Sequence, residues 1–315
     1  MKFYKHALLL MAIAVPALFV ACGDDDDGGA GDPPEATTPA AAESAFPVTI
    51  TDDNGNDLTL EAAPQAIVAL APSFVEVLFE IDAGDAIVAA DENTDAPPEA
   101  DSIPKISGFA PSVEGIASYD PDLVLIFYEP GGLEDALEAL GIPTAYLATP
   151  QTLDGVYEQI ETLGTLVGRR DEASALVTDT RAEIEAIVAQ LDGIDEGPSV
   201  FHELDVQLFT AGPGSFTDEI YSLLKVQNIA ESTGEPFPQM SAEAVIAADP
   251  EVIILADGAF GEMPETVAAR TGWDSISAVE NDRIYPVNGA ILSRPSQRIA
   301  DDIQELAELL YPEVF

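Results

Sequence analysis

The sequence predicts an α/β protein with two similar Rossmann-like lobes, each built on a central parallel sheet, joined by one long interdomain α-helix. Short continuous runs of Val, Ile and Leu alternate with helical patterns, which is typical of parallel sheets covered on both faces. A single helical stripe of apolar residues extends over residues 171–191. An internal repeat has one copy on each side of that stripe.

The first lobe is predicted over residues 46–168. It opens with a β-hairpin, because apolar residues alternate on both sides of Asn54-Gly55. Strands and helices then alternate along the chain. Strands are predicted at 67–70, 87–90, 123–127 and 144–147, and helices at 73–81, 113–119 and 133–140.

The interdomain helix belongs to the segment 169–194. Asp171 and Glu172 favour its positive N-terminal end, and Gly193 marks its end. At 1.5 Å per residue it spans about 30 Å, which favours lobes that hinge little. The second lobe covers 195–315, with a strand at 199–204, a helix at 216–224 capped by Ser215, and a last helix at 296–310.

The internal repeat aligns residues 112–126 with 241–255 without a gap. Each copy has a serine N-cap, a short helix, an Asp-Pro break and a buried strand. Glu114 and Glu243 occupy the same position on the first turn. The helix dipole alone explains each of them, at about 0.3–1 kcal/mol. The alternative is that two equivalent lobes present two carboxylates to a two-fold partner, and sequence physics leaves both open.

Residues 1–21 have the pattern of a secretory signal: Lys2, Lys5 and His6 precede an apolar run that is too short to span a ~30 Å hydrocarbon core. Leu18-Phe19-Val20-Ala21-Cys22 resembles a bacterial lipobox, which implies acylation of Cys22 and an extracytoplasmic, lipid-anchored protein. An ordinary signal peptide with an incidental cysteine is the alternative. Residues 22–45 are predicted to be a disordered acidic and Pro/Ala-rich tether.

The formal net charge of −47, from 58 acidic and 11 basic residues, argues against nucleic acid and anionic lipid surfaces as partners. Acidity this high is typical of proteins kept soluble in high salt. Cys22 is the only cysteine, so no disulfide framework is predicted.

Five motifs follow one another in order along the chain. They are Pro64-x-x-Ile-Val-x-Leu-x-Pro-Ser73, Glu114…Asp120-Pro-Asp-Leu-Val124, Gly141-Ile-Pro143, Thr210-Ala-Gly-Pro-Gly-Ser-Phe216 and Glu243…Asp249-Pro250. This order and spacing resemble the iron-siderophore/cobalamin class of periplasmic binding proteins, the helical-backbone class III binding proteins of ABC importers. The resemblance implies a monomeric binding protein, not an enzyme, that delivers a metal chelate to an ABC permease dimer with its ATPase subunits. It also implies that Glu114 and Glu243 dock onto arginines of the two permease subunits.

Ligands of open parallel sheets bind at loops beyond the carboxyl ends of the strands. Aromatic faces on such loops suit a large, flat or apolar ligand, although core packing is the alternative for each one singly. The predicted cleft residues are Phe109, Phe127, Tyr128, Phe209, Phe260 and Arg294. Phe109 matches a position that is aromatic in cobalamin-binding relatives, whereas Asn93 stands where such relatives can have another aromatic residue.

The scarcity of cationic residues favours a neutral or weakly charged chelate, either a corrinoid or a hydroxamate siderophore. Arg294 is the candidate for anionic groups of a ligand, and Arg298 is interpreted as capping or pairing within the last helix. Haem binding or chelate sensing at the cell surface are alternatives. No Gly-Lys-Ser/Thr or Gly-x-Ser-x-Gly motif supports an α/β enzyme.

No metal site and no resident cofactor are predicted, because zinc and manganese binders use several histidines and only His202 follows the signal segment. His202, beside Glu203, is predicted to be packed or hydrogen-bonded. Axial coordination of a chelated metal is the alternative.

Overall fold

An antiparallel hairpin opens the part of the chain that the computed structural model describes, residues 45–258, 261–287 and 294–315. Strand β1 (Val48–Thr51) pairs with β2 (Asp57–Leu60). Asp52 organises the turn, because its carboxylate accepts hydrogen bonds from the amides of Asn54 and Asn56 at 3.0 and 2.8 Å. The hairpin predicted around Asn54-Gly55 is confirmed.

The first lobe is a five-stranded sheet flanked by helices. Its strands are β3 (Ile67–Ala69), β4 (Ile87–Asp91), β5 (Lys105–Ile106), β6 (Leu123–Ile126) and β7 (Thr144–Tyr146). They are all parallel, in the order β5-β4-β3-β6-β7. The connecting helices are α1 (Pro72–Glu80), α2 (Val113–Ala117) and α3 (Leu133–Glu138).

Two long antiparallel helices connect the lobes. They are α4 (Leu153–Val167) and α5 (Arg170–Ala189). Gly168 ends α4 in the left-handed conformation that glycine favours, at a φ of 71°. The two helices approach closely at Gly164, where a β-carbon would clash with that of Ala173. The predicted long helix corresponds to α5, whereas α4 was not predicted.

The second lobe is a four-stranded parallel sheet with five helices among its described residues. Its strands are β8 (Ser199–Glu203), β9 (Gln227–Asn228), β10 (Val252–Leu255) and β11 (Ile284–Pro286), in the order β11-β10-β8-β9. Its helices are α6 (Phe216–Leu223), α7 (Ala242–Ala248), α8 (Pro264–Ala268), α9 (Ser277–Glu280) and α10 (Ile299–Leu310). Helix α10 packs on α5.

The hydrophobic core follows the faces of the sheets, because alternate residues of a strand point to opposite sides. In β3, Ile67 and Ala69 join the largest cluster, whereas Val68 joins a separate one on the outer face. The largest cluster includes buried residues of α1, α4, α5, α6, α10 and both sheets. A close-packed core that continues from one lobe into the other resists their separation.

Some predictions lie outside the described residues. They concern the signal segment, Cys22, all but the last residue of the tether, and Phe260. Among the helices that are described, none combines the length and apolar character needed to cross a membrane.

Candidate functional site

Three aromatic side chains cluster where β5 and β6 end. Phe127 and Tyr128 directly follow β6, and Phe109 lies in the loop after β5. The ring centroid of Phe109 is 5.1 Å from that of Phe127, with nearly perpendicular planes, and 5.9 Å from that of Tyr128. Phe109 and Tyr128 remain 59% and 45% exposed, so burial in the core does not account for their position.

Asp91, the last residue of β4, holds the loops on which this cluster is built. Its buried carboxylate accepts hydrogen bonds from the amides of Asn93 and Gly108, both at 2.8 Å. Gly108 has no room for a side chain, because a β-carbon there would clash with the carbonyl oxygen of Leu70. Asp91 was not among the predicted site residues, although an acidic residue that ends an apolar strand is a usable signal.

Arg294 lies at the junction of the lobes and is paired with acids of the first lobe. Its guanidinium donates two hydrogen bonds to the carboxylate of Asp95, one of them from Nη2 at 3.3 Å. Its Nη1 also lies 3.6 Å from Oε1 of Glu76. Burial opposes the charge of Arg294, but these carboxylates outweigh it and raise the pKa of Arg294.

Arg294 also shares a cavity with one of the aromatic side chains. The cavity has a volume of about 70 Å³, and both Arg294 and Phe127 line it. The structure thus brings together four predicted cleft residues of the two lobes. Larger grooves of about 400, 450 and 440 Å³ lie along the hairpin and around α4, and none of the predicted cleft residues lines them.

A buried carboxylate on α1 ties the two lobes together. Glu76 accepts a hydrogen bond from Ser296 Oγ at 2.6 Å and another from Arg298 Nη1 at 3.0 Å. Both donors precede α10, which begins at Ile299. Arg298 does occupy the N-cap position of α10, but the interpretation that it pairs within the last helix is wrong, because its acidic partner Glu76 belongs to the other lobe.

In the second lobe, charged side chains occupy the ends of the strands. Arg270 binds the fully buried carboxylate of Glu203 at 2.6 and 2.5 Å and that of Glu262 at 2.9 Å. Asp257 follows β10 and is only 2% exposed, and neither of its carboxylate oxygens has a hydrogen-bond partner among the described residues. Burial raises the pKa of both Glu203 and Asp257.

Phe209 is the predicted second-lobe aromatic residue that the structure describes. It is half-buried, its backbone pairs with Gln239, and none of the ring contacts among described residues joins it to the first-lobe cluster. Nearby, Phe237 stands between two prolines and is 55% exposed. Phe237 was not predicted, because it does not directly follow a strand; the sequence signal for it is the Pro-Phe-Pro segment itself.

His202 is buried inside the second lobe. Its Nδ1 lies 2.7 Å from the hydroxyl of Tyr221 on α6, and burial lowers the pKa of His202 to about 4. The prediction of a packed, hydrogen-bonded histidine is confirmed. Within the described parts of the chain, no group of three or more His, Cys, Asp or Glu side chains is arranged to hold a metal ion.

The repeated helices α2 and α7 present Glu114 and Glu243 in matching surroundings. Both glutamates are exposed, and neither forms a salt bridge with another described residue. Ser112 and Ser241 cap the two helices by accepting hydrogen bonds from backbone amides at 2.9 and 3.2 Å. The geometry leaves both carboxylates available to a partner.

Residues 67–289 match the model of the family described as periplasmic binding protein. The chain belongs to this family. Membership places it among extracytoplasmic binding proteins that serve an ABC permease with its ATPase, and the resemblance seen in the sequence is confirmed.

Relatives and solved structures agree with membership in the family. The chain is 32% identical over 279 residues to an uncharacterized ABC transporter substrate-binding lipoprotein of Bacillus subtilis, covering 86% of this chain and 87% of that one. It is 28% identical over 281 residues to a cobalamin-binding protein of Halobacterium salinarum, covering 85% and 75%. The crystal structure of a periplasmic vitamin B12 binding protein of Vibrio cholerae superimposes with a TM-score of 0.66 at 26% identity, covering 79% and 97%.

Proposed function

We propose that this protein is the lipid-anchored, monomeric substrate-binding component of an ABC importer, and that it captures a corrinoid such as cobalamin. The aromatic cluster of Phe109, Phe127 and Tyr128 carries the proposal, because two of its rings are exposed without serving the core. Such rings suit the flat face of a large chelate. The names of the Halobacterium and Vibrio relatives favour a corrinoid over other chelates. The anchor rests on Cys22 and the segment before it.

The ligand assignment is tested by thermal unfolding with cyanocobalamin, haemin and a ferric hydroxamate siderophore in parallel. A ligand present at 100 times its Kd stabilises the folded state by about 2.7 kcal/mol, which is readily measured. We expect the shift with cyanocobalamin. A shift with only haemin or the siderophore would contradict the corrinoid assignment, and no shift with any chelate would contradict the proposed function.

The aromatic cluster is tested by Phe109→Ala, which removes an exposed ring. We expect affinity for cyanocobalamin to fall about tenfold, the equivalent of 1.4 kcal/mol, with little change in the free energy of unfolding. Leu140→Ala is the matched control, because Leu140 is 58% exposed and follows α3 away from the cluster. Equal losses of affinity in the two variants would show that the ring does not contact ligand.

Glu114 and Glu243 are proposed to dock onto two arginines of the permease. Reversing both to arginine should abolish uptake, because like charges would then meet, while the Kd for ligand stays unchanged. Asp179→Arg with Glu183→Arg makes the same charge change at two exposed positions on α5 and serves as the control. Normal uptake by the Glu114→Arg/Glu243→Arg variant would contradict the docking role and leave the helix dipole as the explanation for both glutamates.

A further inference from the structure

Two arginines lie where strands of the two lobes end, and each is bound by two carboxylates. Arg294 contacts Asp95 and Glu76, and Arg270 contacts Glu203. Glu262 is the second acid on Arg270, at 2.9 Å. The positive charge of each guanidinium is therefore already balanced by acids of the protein itself.

None of the other Lys and Arg residues supplies an unpaired positive charge to the described cleft residues. Of the 11 Lys and Arg residues, Lys2 and Lys5 precede the described residues. Arg298 pairs with Glu76, and six others have partners elsewhere in the fold. These six are Lys105, Lys225 and Arg283, which donate to backbone carbonyls, and Arg169, Arg170 and Arg181, which lie at α4 and α5. An anionic ligand thus meets no unpaired cation among the described cleft residues.

Asp95 differs from Glu76, the other acid on Arg294, in being exposed and in having Arg294 as its only ion-pair partner among the described residues. Glu76 is buried and shared with Ser296 and Arg298, so it belongs to the lobe junction. The side chain of Asp95 is 62% exposed, and Arg294 is its partner. The hydrogen bond from Arg294 lowers the pKa of Asp95, so its carboxylate is charged at neutral pH.

We infer that Asp95 is a specificity-determining residue, whose carboxylate occupies the guanidinium of Arg294 and thereby excludes anionic chelates from the cleft. A polyanionic chelate would have to displace Asp95 or add its own charge beside an already balanced pair. A neutral or cationic chelate faces neither penalty. This inference rests on the proposed function, because it concerns the same cleft.

The experiment measures the Kd of cyanocobalamin and of a polyanionic ferric tris-catecholate for the wild type, Asp95→Asn, and Asp95→Asn/Arg294→Gln. Asparagine keeps the shape of the side chain and removes its charge. We expect Asp95→Asn to bind the tris-catecholate at least about tenfold more tightly, the effect of one charge-assisted hydrogen bond. The double variant should return to the wild-type Kd, and affinity for cyanocobalamin should change less than about threefold.

Glu92→Gln is the matched control, since Glu92 is an exposed acid three positions before Asp95, and none of the ion pairs among the described residues involves its side chain. Tighter tris-catecholate binding by Glu92→Gln or by the double variant, equal to that of Asp95→Asn, would overturn the inference. So would an unchanged Kd in Asp95→Asn. The two proposals can fail separately. If Asp95→Asn binds the tris-catecholate more tightly and Asp95→Asn/Arg294→Gln does not, while no variant binds cyanocobalamin, the inference stands and the corrinoid assignment fails.

Discussion

The two lobes share one repeat but differ where their strands end. The repeated strands β6 and β10 pair with β3 and β8, respectively, in the same register. In this alignment Leu70, which follows β3, corresponds to Glu203 at the end of β8. When the alignment of the repeat is continued beyond those strands, Tyr128 corresponds to Asp257. An apolar and aromatic strand end in one lobe thus corresponds to a buried, charged strand end in the other.

The helical side of the repeat is alike in both lobes. Asp120 and Asp249 take the same left-handed backbone conformation, with φ of 50° and 47°, before their prolines. The matching side carries the two glutamates proposed to meet a two-fold permease. The strand ends, which differ between the lobes, carry the residues proposed to bind an asymmetric ligand. The same repeated unit therefore provides both the proposed permease contacts and the proposed ligand contacts.

The buried ion pair of the second lobe should be the more sensitive of the two arginine sites. Arg270→Met leaves the fully buried Glu203 without its cation, and we expect a loss of about 3–5 kcal/mol in the free energy of unfolding. Arg294→Met should lose only about 1 kcal/mol, because Glu76 keeps Ser296 and Arg298. Urea unfolding of both variants measures the difference; equal losses would contradict the contrast between the lobes.

A loss of stability between pH 6.5 and 4 should also belong to the second lobe, because His202 stands where the first lobe has Ala69. The folded-state pKa of about 4 lies below the ordinary value of 6.5. The unfolded chain therefore binds the proton first, and stability is lost as pH falls from 6.5 to 4, by up to about 3 kcal/mol. His202→Gln should remove this slope from urea-unfolding profiles.

Tyr221→Phe is the control for the histidine variant. It removes the hydroxyl 2.7 Å from Nδ1 but keeps the imidazole buried, so its pH slope should match that of the wild type. A wild-type slope in His202→Gln would assign the acid sensitivity to other groups.

The elements of the fold were largely predictable, because each is encoded by its own local pattern. Helix α4 was missed although Leu153, Val156, Ile160, Leu163 and Val167 are buried at helical spacing. Its two internal glycines lower helix propensity, and packing against α5 compensates for them.

The partners of the cleft residues were not predictable in the same way. Arg294 and Asp95 are 199 residues apart in sequence, and Ser296 and Glu76 are 220 apart. No local pattern encodes such pairs, since they form only when the segment that precedes α10 meets the first lobe. The sequence therefore indicated Arg294 as a cleft residue but could not show that an acid already holds it.

The repeated helix caps give the finest test of the likeness between the lobes. Ser112→Ala and Ser241→Ala each remove one capping hydrogen bond, and each should lower the free energy of unfolding by about 1 kcal/mol. The double variant should lose the sum, because the sites share no partner. Ser174→Ala, on the exposed face of α5, should lose nothing, since alanine is the better helix former. If only one of the two single variants lowers the free energy of unfolding, the two helices are alike in geometry but their caps do not contribute equally to stability.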